Sequence, residues 1–137
     1  MAKTKCEELQ QEQITAAEKG SGVKVINATI KMAAQAANDL IEIGTIKKGE
    51  RFLYGTITVS YSTGSATLAI GNETTADKYK AAAAHTTTDV PSMFGKTAAQ
   101  AVATADEVIW VKVAAASMPS ASDGREVKIT MFVSTNN

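Results

Sequence analysis

The sequence has very little of the residue chemistry from which metal sites and nucleophilic active sites are built. Cys6 is the only cysteine among the 137 residues, and His85 is the only histidine. One cysteine excludes an internal disulfide and any zinc site with several cysteine ligands. One histidine leaves a histidine-based metal site, or a triad with Cys6, without a second supporting residue. We therefore predict that the chain needs no metal or cofactor and is not an enzyme.

The chain also has no net charge, few aromatic residues and no long apolar run. The 14 Lys and Arg residues balance the 14 Asp and Glu residues, so no long-range field attracts nucleic acid or an anionic membrane. The segment after Met1 lacks the apolar core of a signal peptide, and no stretch approaches the ~20 apolar residues of a membrane span. We expect a protein made in the cytoplasm that binds neither nucleic acid nor membrane. Aromatic residues make up only 5% of the chain, which argues against a cavity walled by rings.

Motifs for catalysis and ligand binding are missing as well. Asp77, Asp89, Asp106 and Asp123 lie in or beside predicted loops, where turn chemistry explains an aspartate. None of these loops has the closely alternating carboxylates of a calcium site, and no glycine-rich phosphate-binding pattern occurs. Two carboxylates that meet in space would still suit glycoside hydrolysis, which the sequence alone leaves open. We assign no catalytic, cofactor-binding or metal-binding residue.

The clearest structural signal is the segment 51–71, RFLYGTITVSYSTGSATLAIG, which has a two-residue period on both sides of a polar turn. This pattern predicts a β-hairpin. Residues 62–65 are small and polar, and Gly64 suits the positive φ of a tight reversal. Each arm should bury one face, formed by Leu53, Ile57, Val59 and Tyr61 in the first and by Ala66, Leu68 and Ile70 in the second. Because an isolated hairpin is marginally stable in water, further strands must cover it.

Further alternating segments predict a sheet-rich domain. Residues 106–115 indicate a central strand, in which we interpret Trp110 as a core residue, and residues 126–133 indicate a closing strand with one apolar face. The other predicted elements are one or two strands at 23–32, a strand at 40–45, a charged turn at 47–50, a strand or short helix at 77–84, and a surface excursion at 86–104 with or without a helix at 97–102. Seven or eight strands at this spacing are typical of an antiparallel sandwich. We therefore predict a mostly β fold, an antiparallel β-sandwich or jelly-roll-like single domain at residues 21–137.

Residues 1–20 are polar and predict an N-terminal arm outside this domain. Apolar residues are sparse there, at Cys6, Leu9 and Ile14, so we do not expect the segment to contribute much to a core. It is either a frayed arm or an arm that orders on a partner subunit, in which case these three residues would form the partner interface. We expect the Cys6 thiol to be exposed and unreactive in a reducing cytoplasm, with an intermolecular disulfide as the alternative.

Four successive segments of the chain resemble small virion proteins of tailed bacteriophages. They are LIEIGTIKKGE at residues 40–50, the strand at 52–61, SATLAIGN at 65–72 and ADKY at 76–79. In that group a strand runs into a lysine- and glycine-containing turn, a hairpin follows, and a stretch with glycine, aspartate and tyrosine comes next. The resemblance covers about residues 30–79. Such proteins are similar to head decoration, or cement, proteins, which are β-sandwich domains on the outer capsid lattice.

The resemblance implies a structural protein that binds the outer surface of the phage head, often as a trimer, and clamps neighbouring capsomers. Its partners would be the major capsid protein and further copies of the chain, and it would carry no catalytic residue. Neutral net charge, strands of small residues and a polar arm agree with a protein that buries surface on other subunits.

Three other interpretations stay open. One is a tail, neck or head-fibre component of the virion. Another is a carbohydrate-binding β-sandwich, which would need exposed Trp or Tyr platforms; with Trp110 in the core, Tyr54, Tyr61 and Tyr79 would have to supply them. The third is an enzyme, which would require two of the loop aspartates, or one of them and His85, to meet in a cleft.

Overall fold

The alternating segments of the sequence form strands in the computed structural model, which describes residues 2–10, 22–33, 35–119 and 124–135. Within these residues the strands are β1 Lys3–Lys5, β2 Val23–Lys31, β3 Leu40–Ile46, β4 Arg51–Val59, β5 Thr67–Gly71, β6 Lys80–Ala83, β7 Ser92–Phe94, β8 Glu107–Ala114 and β9 Glu126–Ser134. A single helical turn, α1, spans Glu7–Gln10, and a 3₁₀ turn spans Thr97–Gln100. No helix in this described part is long and apolar enough to cross a membrane.

The strands form two sheets, with the orders β1-β3-β8-β5-β6 and β2-β9-β4-β7. From β2 onward the antiparallel pairs are nested: β2 pairs with β9, β3 with β8, β4 with β7, and β5 with β6. Successive pairs fall alternately in the two sheets, which is the topology of a jelly roll. The prediction of a mostly β, antiparallel sandwich is therefore confirmed. β1 extends the first sheet as a strand parallel to β3.

The core lies between the two sheets and is formed by the inward residues of each strand. Every second residue of β9 and β8 is at most 1% exposed: Val127, Ile129, Met131, Val133, Ile109, Val111 and Val113. Removing one such side chain from water contributes about 1.5–3 kcal/mol to stability. β8 lies in the middle of its sheet, as the sequence predicts. β9 is an interior strand too, because β2 and β4 pair with its two edges.

The hairpin predicted for residues 51–71 is wrong, although both of its strands exist. β4 pairs with β9 and β7, whereas β5 pairs with β8 and β6 in the opposite sheet. Residues 60–66 therefore cross between sheets, which lie about 10 Å apart in such a fold. Thr63 fixes this crossing, because its hydroxyl donates to Ala66 O at 3.0 Å and its amide donates to His85 O at 2.9 Å.

A β-bulge in β4 changes which of its residues face the core. The register against β9 shifts between Phe52 and Tyr54, so the alternation predicted from the sequence is displaced at the start of the strand. The buried residues of β4 are Phe52, Gly55, Ile57 and Val59. The predicted face is thus confirmed for two of its members and wrong for Leu53, which is half-buried, and for Tyr61, which is 41% exposed.

β2 is a single strand that pairs with β9 in continuous register over its whole length. Its inward residues are Ile26, Ala28 and Ile30, while Val23 and Val25 are 50% and 41% exposed on the outer face. The two segments left ambiguous by the sequence are also resolved. Residues 77–84 contain strand β6, and residues 86–104 contain β7 followed by the 3₁₀ turn.

The first residues of the predicted arm pack against the sandwich. β1 pairs alongside β3, and Cys6 then enters the core with 2% exposure, while its amide donates to Glu42 O at 2.9 Å. α1 follows, and the Glu8 carboxylate accepts hydrogen bonds from the amide and the hydroxyl of Thr29 at 2.7 and 2.9 Å. α1 therefore links the edge of one sheet to β2 at the edge of the other.

The expectation that the Cys6 thiol is exposed is accordingly wrong. The core contribution of the segment is small, as expected, because Cys6 is the one residue that is buried among residues 2–8. The contacts of β1 are main-chain hydrogen bonds, which need no apolar side chain and leave no hydropathy signal. Residues 11–20 of the predicted arm, which include Ile14, and the side chain of Leu9 lie outside the described part of the chain. Their role at a partner interface stays a prediction.

Candidate interaction surfaces

The side chains considered for catalysis or metal binding do not converge on one site. Among the described residues, no three His, Cys, Asp or Glu side chains are grouped so as to hold a metal ion. Asp106 lies beside the β3–β4 turn, where its carboxylate accepts a hydrogen bond from Lys48 N at 2.9 Å. His85 lies in the β6–β7 connection at the other end of the sandwich, and Asp77 pairs with a lysine at 3.5 Å. Asp123 is outside the described residues.

The outer face of the β2-β9-β4-β7 sheet carries a row of apolar side chains that are exposed or, in the case of Phe132, half-buried. Val25 pairs with Phe132, and Phe132 pairs with Tyr54, so the three side chains stand next to one another across three strands. The rings of Phe132 and Tyr54 stack with their centroids 4.7 Å apart. Val23 lies two residues before Val25 on β2 and is 50% exposed, and Met93 on β7, which pairs with Thr56, is 72% exposed. We call these five residues the apolar patch.

On one side, the residues beside the apolar patch are polar but uncharged. The next row across the sheet is Asn27, Thr130 and Thr56, and the Thr130 hydroxyl donates to Asn27 Oδ1 at 3.1 Å. On the other side, Arg51 lies in the same row as Val23, across Ser134, while Lys128 lies one row beyond Thr130. Exposed aromatic and Met side chains with little charge among them are typical of the buried centre of a subunit interface. This face is therefore suited to contact another protein.

A second surface feature is a cleft of about 570 Å³ at the end of the sandwich, between the β5–β6 and β7–β8 connections. Residues 72–74 and Lys78 form one wall, and residues 98–106 form the other. The second wall consists largely of alanine, so small side chains and peptide groups line it. Gly71 allows the first wall to fold over the sheet, because a Cβ at that position would overlap the carbonyl oxygen of Thr75. We call this feature the end cleft.

Glu107 organises the base of the end cleft. Its carboxylate accepts hydrogen bonds from Asn72 Nδ2 at 2.8 Å, from Lys78 Nζ at 2.7 Å and from the hydroxyl of Tyr79. Burial alone would raise the pKa of Glu107, but these hydrogen bonds outweigh it and hold the pKa below its usual range. The pKa of Tyr79 is raised well above its usual value, first by burial and then by Glu107. The pair is therefore a carboxylate and a neutral phenol at neutral pH.

Trp110 borders the end cleft and does not belong to the core, so its interpretation as a core residue is wrong. It alternates with the fully buried Ile109 and Val111 and points to the opposite, outer face of β8, where it is half-buried. The ammonium of Lys3 lies 5.7 Å from its ring centroid. Neighbouring Gly71 contributes no side chain beside the ring.

The tyrosines considered as aromatic platforms differ in their environments. Tyr79 is buried with 2% exposure, whereas Tyr54 and Tyr61 are 40% and 41% exposed. The Arg125 guanidinium lies over the Tyr61 ring, 3.4 Å from its centroid. Tyr54 belongs to the apolar patch, so only Trp110 combines an outward ring with a cleft.

A smaller cavity of about 310 Å³ lies at the other end of the sandwich, beside β4 and the β6–β7 connection. His85 lines it, and its Nε2 is buried without a hydrogen-bond partner in the described residues. Burial lowers the pKa of His85, and the nearby Lys80 lowers it further. The Lys80 ammonium is itself buried and donates to Leu68 O at 3.0 Å. His85 is thus a half-buried loop residue whose imidazole is neutral at neutral pH.

The sequence singled out Tyr54, Tyr79, Asp106 and Trp110 for other roles, but it predicted neither the apolar patch nor the end cleft. Glu107 had a usable signal, because it is the one charged residue at the end of the inward row of β8, and a carboxylate in such a row needs hydrogen-bond donors. The sequence contains no comparable signal for the apolar patch, because the bulge in β4 and the uninterrupted register of β2 decide which aromatic and valine side chains face outward.

Comparison with known proteins places the fold among chains of phage capsids. A chain in the capsid of Ralstonia phage GP4 superposes with a TM-score of 0.73 at 19% identity, over 99% of both chains. A chain in the capsid asymmetric unit of cyanophage Pam1 gives a TM-score of 0.68 at 19% identity, over 91% of this chain and 94% of that one. A chain in the acidic stable capsid of Helicobacter pylori bacteriophage KHP30 gives 0.58 at 14% identity, over 85% and 90%.

No protein-family model and no curated protein matches the sequence. At identities below a fifth, the structural likeness establishes a shared fold. The chain therefore has the jelly-roll fold of chains found in three phage capsids.

Proposed function

We propose that the chain is a structural protein of a phage virion and, within the virion, a head decoration (cement) protein. In this role it binds the outer surface of the capsid after synthesis in the host cytoplasm, and it stabilises contacts between capsomers without an enzymatic activity. The observation that carries the proposal is the likeness to the Ralstonia phage GP4 capsid chain, which extends over 99% of both chains. The sequence resemblance of residues 30–79 to decoration proteins supports the capsid exterior as the site.

The apolar patch is the surface that we assign to contacts between copies of the chain. Interfaces of homo-oligomers are more apolar than the average protein surface and are depleted of charge. Val25, Phe132 and Tyr54 meet both conditions, and uncharged side chains can face their own copies without repulsion. A trimer is the expected assembly. The major capsid protein would then be contacted by other surfaces, including the arm through Leu9 and Ile14.

The location of the chain is tested by quantitative mass spectrometry of purified virions combined with cryo-electron microscopy. A copy number comparable to that of the major capsid protein, with density on the outer shell, is the expected result. A few copies at one vertex would contradict the decoration role and favour a neck, tail or head-fibre component. Absence from purified particles would overturn the virion role altogether.

The contact surface is tested with the variant Val25→Lys, which places a charge in the apolar patch next to Phe132. Thr67→Lys is the matched control, because Thr67 faces outward on β5 in the other sheet and is half-buried. Val25→Lys should weaken self-association in analytical ultracentrifugation by at least about tenfold, since an unpaired charge in an apolar interface is expensive to desolvate. Thr67→Lys should associate like the unmodified protein. Equal association of all three proteins would remove the patch from the proposal.

A further inference from the structure

We propose that the end cleft is a binding site for neutral saccharides, with Trp110 as the ring on which a sugar stacks. The chemical class is a polyhydroxylated, uncharged ligand, either a free oligosaccharide or a segment of a bacterial surface polysaccharide. This inference does not depend on where the chain sits in a virion. It is based on the position of Trp110, the shape of the cleft and the balance of charge around it.

The position of Trp110 suits a platform on which a sugar ring can stack. Its ring lies on the outer face of a central strand and borders the cleft, so a flat apolar surface meets a space lined with polar groups. The carbon-bound hydrogens on one face of a sugar ring pack against such an aromatic face. Lys3 lies near the ring, but its ammonium is paired with Glu73 in a bridge whose side chains are 45% and 53% exposed. An ion pair as exposed as this contributes little energy, so a sugar can displace it.

The cleft has the size and walls that a small polar ligand requires. Its volume of about 570 Å³ falls within the range of about 300–1,000 Å³ that is usual for ligand sites. The alanine-rich wall at residues 98–105 leaves this space open and presents peptide groups. The opposite wall presents Asn72, Glu73, Thr74 and Lys78, which can exchange hydrogen bonds with sugar hydroxyls.

The charges around the cleft favour a neutral ligand over an ionic one. Each acidic side chain has a lysine partner: Glu73 with Lys3 at 2.8 Å, Asp106 with Lys47 at 3.7 Å, and Glu107 with Lys78 at 2.7 Å. Three carboxylates and three ammonium groups leave no net charge to attract a phosphate or a metal cation. Hydroxyl groups both donate and accept, so they can bind to paired charges of either sign.

The base of the cleft is already in position before a ligand arrives. Glu107 is fixed by three donors from Asn72, Lys78 and Tyr79, and this fixes the β5–β6 connection, which carries all three of them. Polar groups that are already fixed lose less conformational entropy when a ligand binds, which favours affinity in a site with few contacts.

The experiment uses the fluorescence of the unmodified protein, because Trp110 is the only tryptophan in the chain. The probes are maltose, cellobiose, lactose and N,N′-diacetylchitobiose at millimolar concentration, and a purified neutral bacterial surface polysaccharide. At least one probe should change the emission saturably, with the same affinity in isothermal titration calorimetry. Binding of a disaccharide would identify free sugar as sufficient, whereas binding of the polysaccharide alone would identify the polymer as the ligand.

Variants show whether the ring itself binds the sugar. Calorimetry should show affinity reduced at least about tenfold in Trp110→Ala and largely retained in Trp110→Phe, which keeps an aromatic face. Tyr61→Ala, which removes an exposed ring outside the cleft, and Lys3→Ala, which removes the displaceable cover, should both bind. Failure of every probe to bind the unmodified protein overturns the proposal, and so does full affinity in a folded Trp110→Ala protein.

Discussion

Replacing Glu107 with glutamine would test how much the network at the base of the end cleft stabilises the fold. Glutamine has the same length and can still accept a hydrogen bond from the Tyr79 hydroxyl at its carbonyl oxygen. Its amide nitrogen cannot accept from Asn72 or from Lys78, which now donate to the carboxylate at 2.8 and 2.7 Å. The substitution therefore removes hydrogen bonds to a charged acceptor with almost no change in shape.

The expected loss of unfolding free energy depends on how deeply each group is buried. The Glu107 side chain is only 17% exposed, whereas that of Lys78 is 36% exposed and can return to water. A hydrogen bond to a charged group contributes about 1.5–3 kcal/mol. Because Lys78 can hydrogen-bond to water instead, the loss of the two bonds should lower the unfolding free energy by about 2–3 kcal/mol in total. For a chain of this length, that corresponds to a fall of roughly 8–12 °C in the melting temperature.

The pH dependence gives a second measure of the same network. Because the pKa of Glu107 is lower in the folded chain than in the unfolded one, its contribution is present above about pH 4.5 and is lost as the pH falls through the folded value. The gap in unfolding free energy between the unmodified protein and Glu107→Gln should therefore shrink in acid. Urea denaturation at a series of pH values measures this gap.

A matched variant separates this network from ordinary surface charge. Glu73→Gln removes a carboxylate that is 53% exposed and has one lysine partner, so its effect should stay within about 0.5 kcal/mol. The reasoning is refuted if Glu107→Gln is as stable as Glu73→Gln, or if its deficit is the same at neutral and acidic pH.

Three further predictions concern buried groups elsewhere in the fold. Cys6 is 2% exposed, so a thiol reagent should label it only when urea unfolds the chain, and rapid labelling of the native protein would contradict its placement. Gly55→Ala should lower the unfolding free energy by about 1–3 kcal/mol in urea, because a Cβ there overlaps the Phe94 ring; an unchanged midpoint would count against this packing. The pKa of His85 is lowered by burial and by Lys80, so its contribution to stability is present above about pH 6.5 and is lost as the pH falls toward the folded value. A His85→Gln variant should show a flatter stability profile over that range, and an identical profile would exclude this role for the histidine.

The sequence was most informative where a strand lies in the middle of a sheet. Residues 106–115 and 126–133 were predicted as strands, and β8 and β9 confirm both. β9 buries the one apolar face that the sequence shows, including Ile129, because this face meets the other sheet along its full length. In β8 both faces are largely apolar, so alternation places the strand but hydropathy does not decide between Ile109 and Trp110 as the buried residue.

The failures occurred where pairing partners or a bulge decide the outcome. β4 and β5 have the pattern of a hairpin, but the pattern of two successive strands is the same whether they pair or cross between sheets. The shift between Phe52 and Tyr54 reverses the outward direction for the first part of β4 and exposes Tyr54. Because the apolar patch depends on this shift, alternation alone could not predict it.

The end cleft was partly accessible from sequence. Residues 86–104 were predicted as a surface excursion and residues 77–84 as a strand or short helix. The approach of the two walls to each other depends on the folding of the β5–β6 connection over Gly71, which the sequence did not predict. Trp110 was placed in the core because its strand is almost continuously apolar. Its outward direction follows from alternation with Ile109 and Val111, which the sequence does contain.

The position of β9 has a consequence for how the chain is made. β9 comes after all the other described strands in the sequence, yet β2 and β4 pair with its two edges. While residues 126–134 are still in the ribosome, both of those strands expose unpaired backbone that another chain can bind. The second sheet is therefore completed only after translation has passed these residues, in a late step that closes the longest loop of the nested pairs. The yield of folded protein would then depend on how fast β9 inserts relative to encounters between nascent chains.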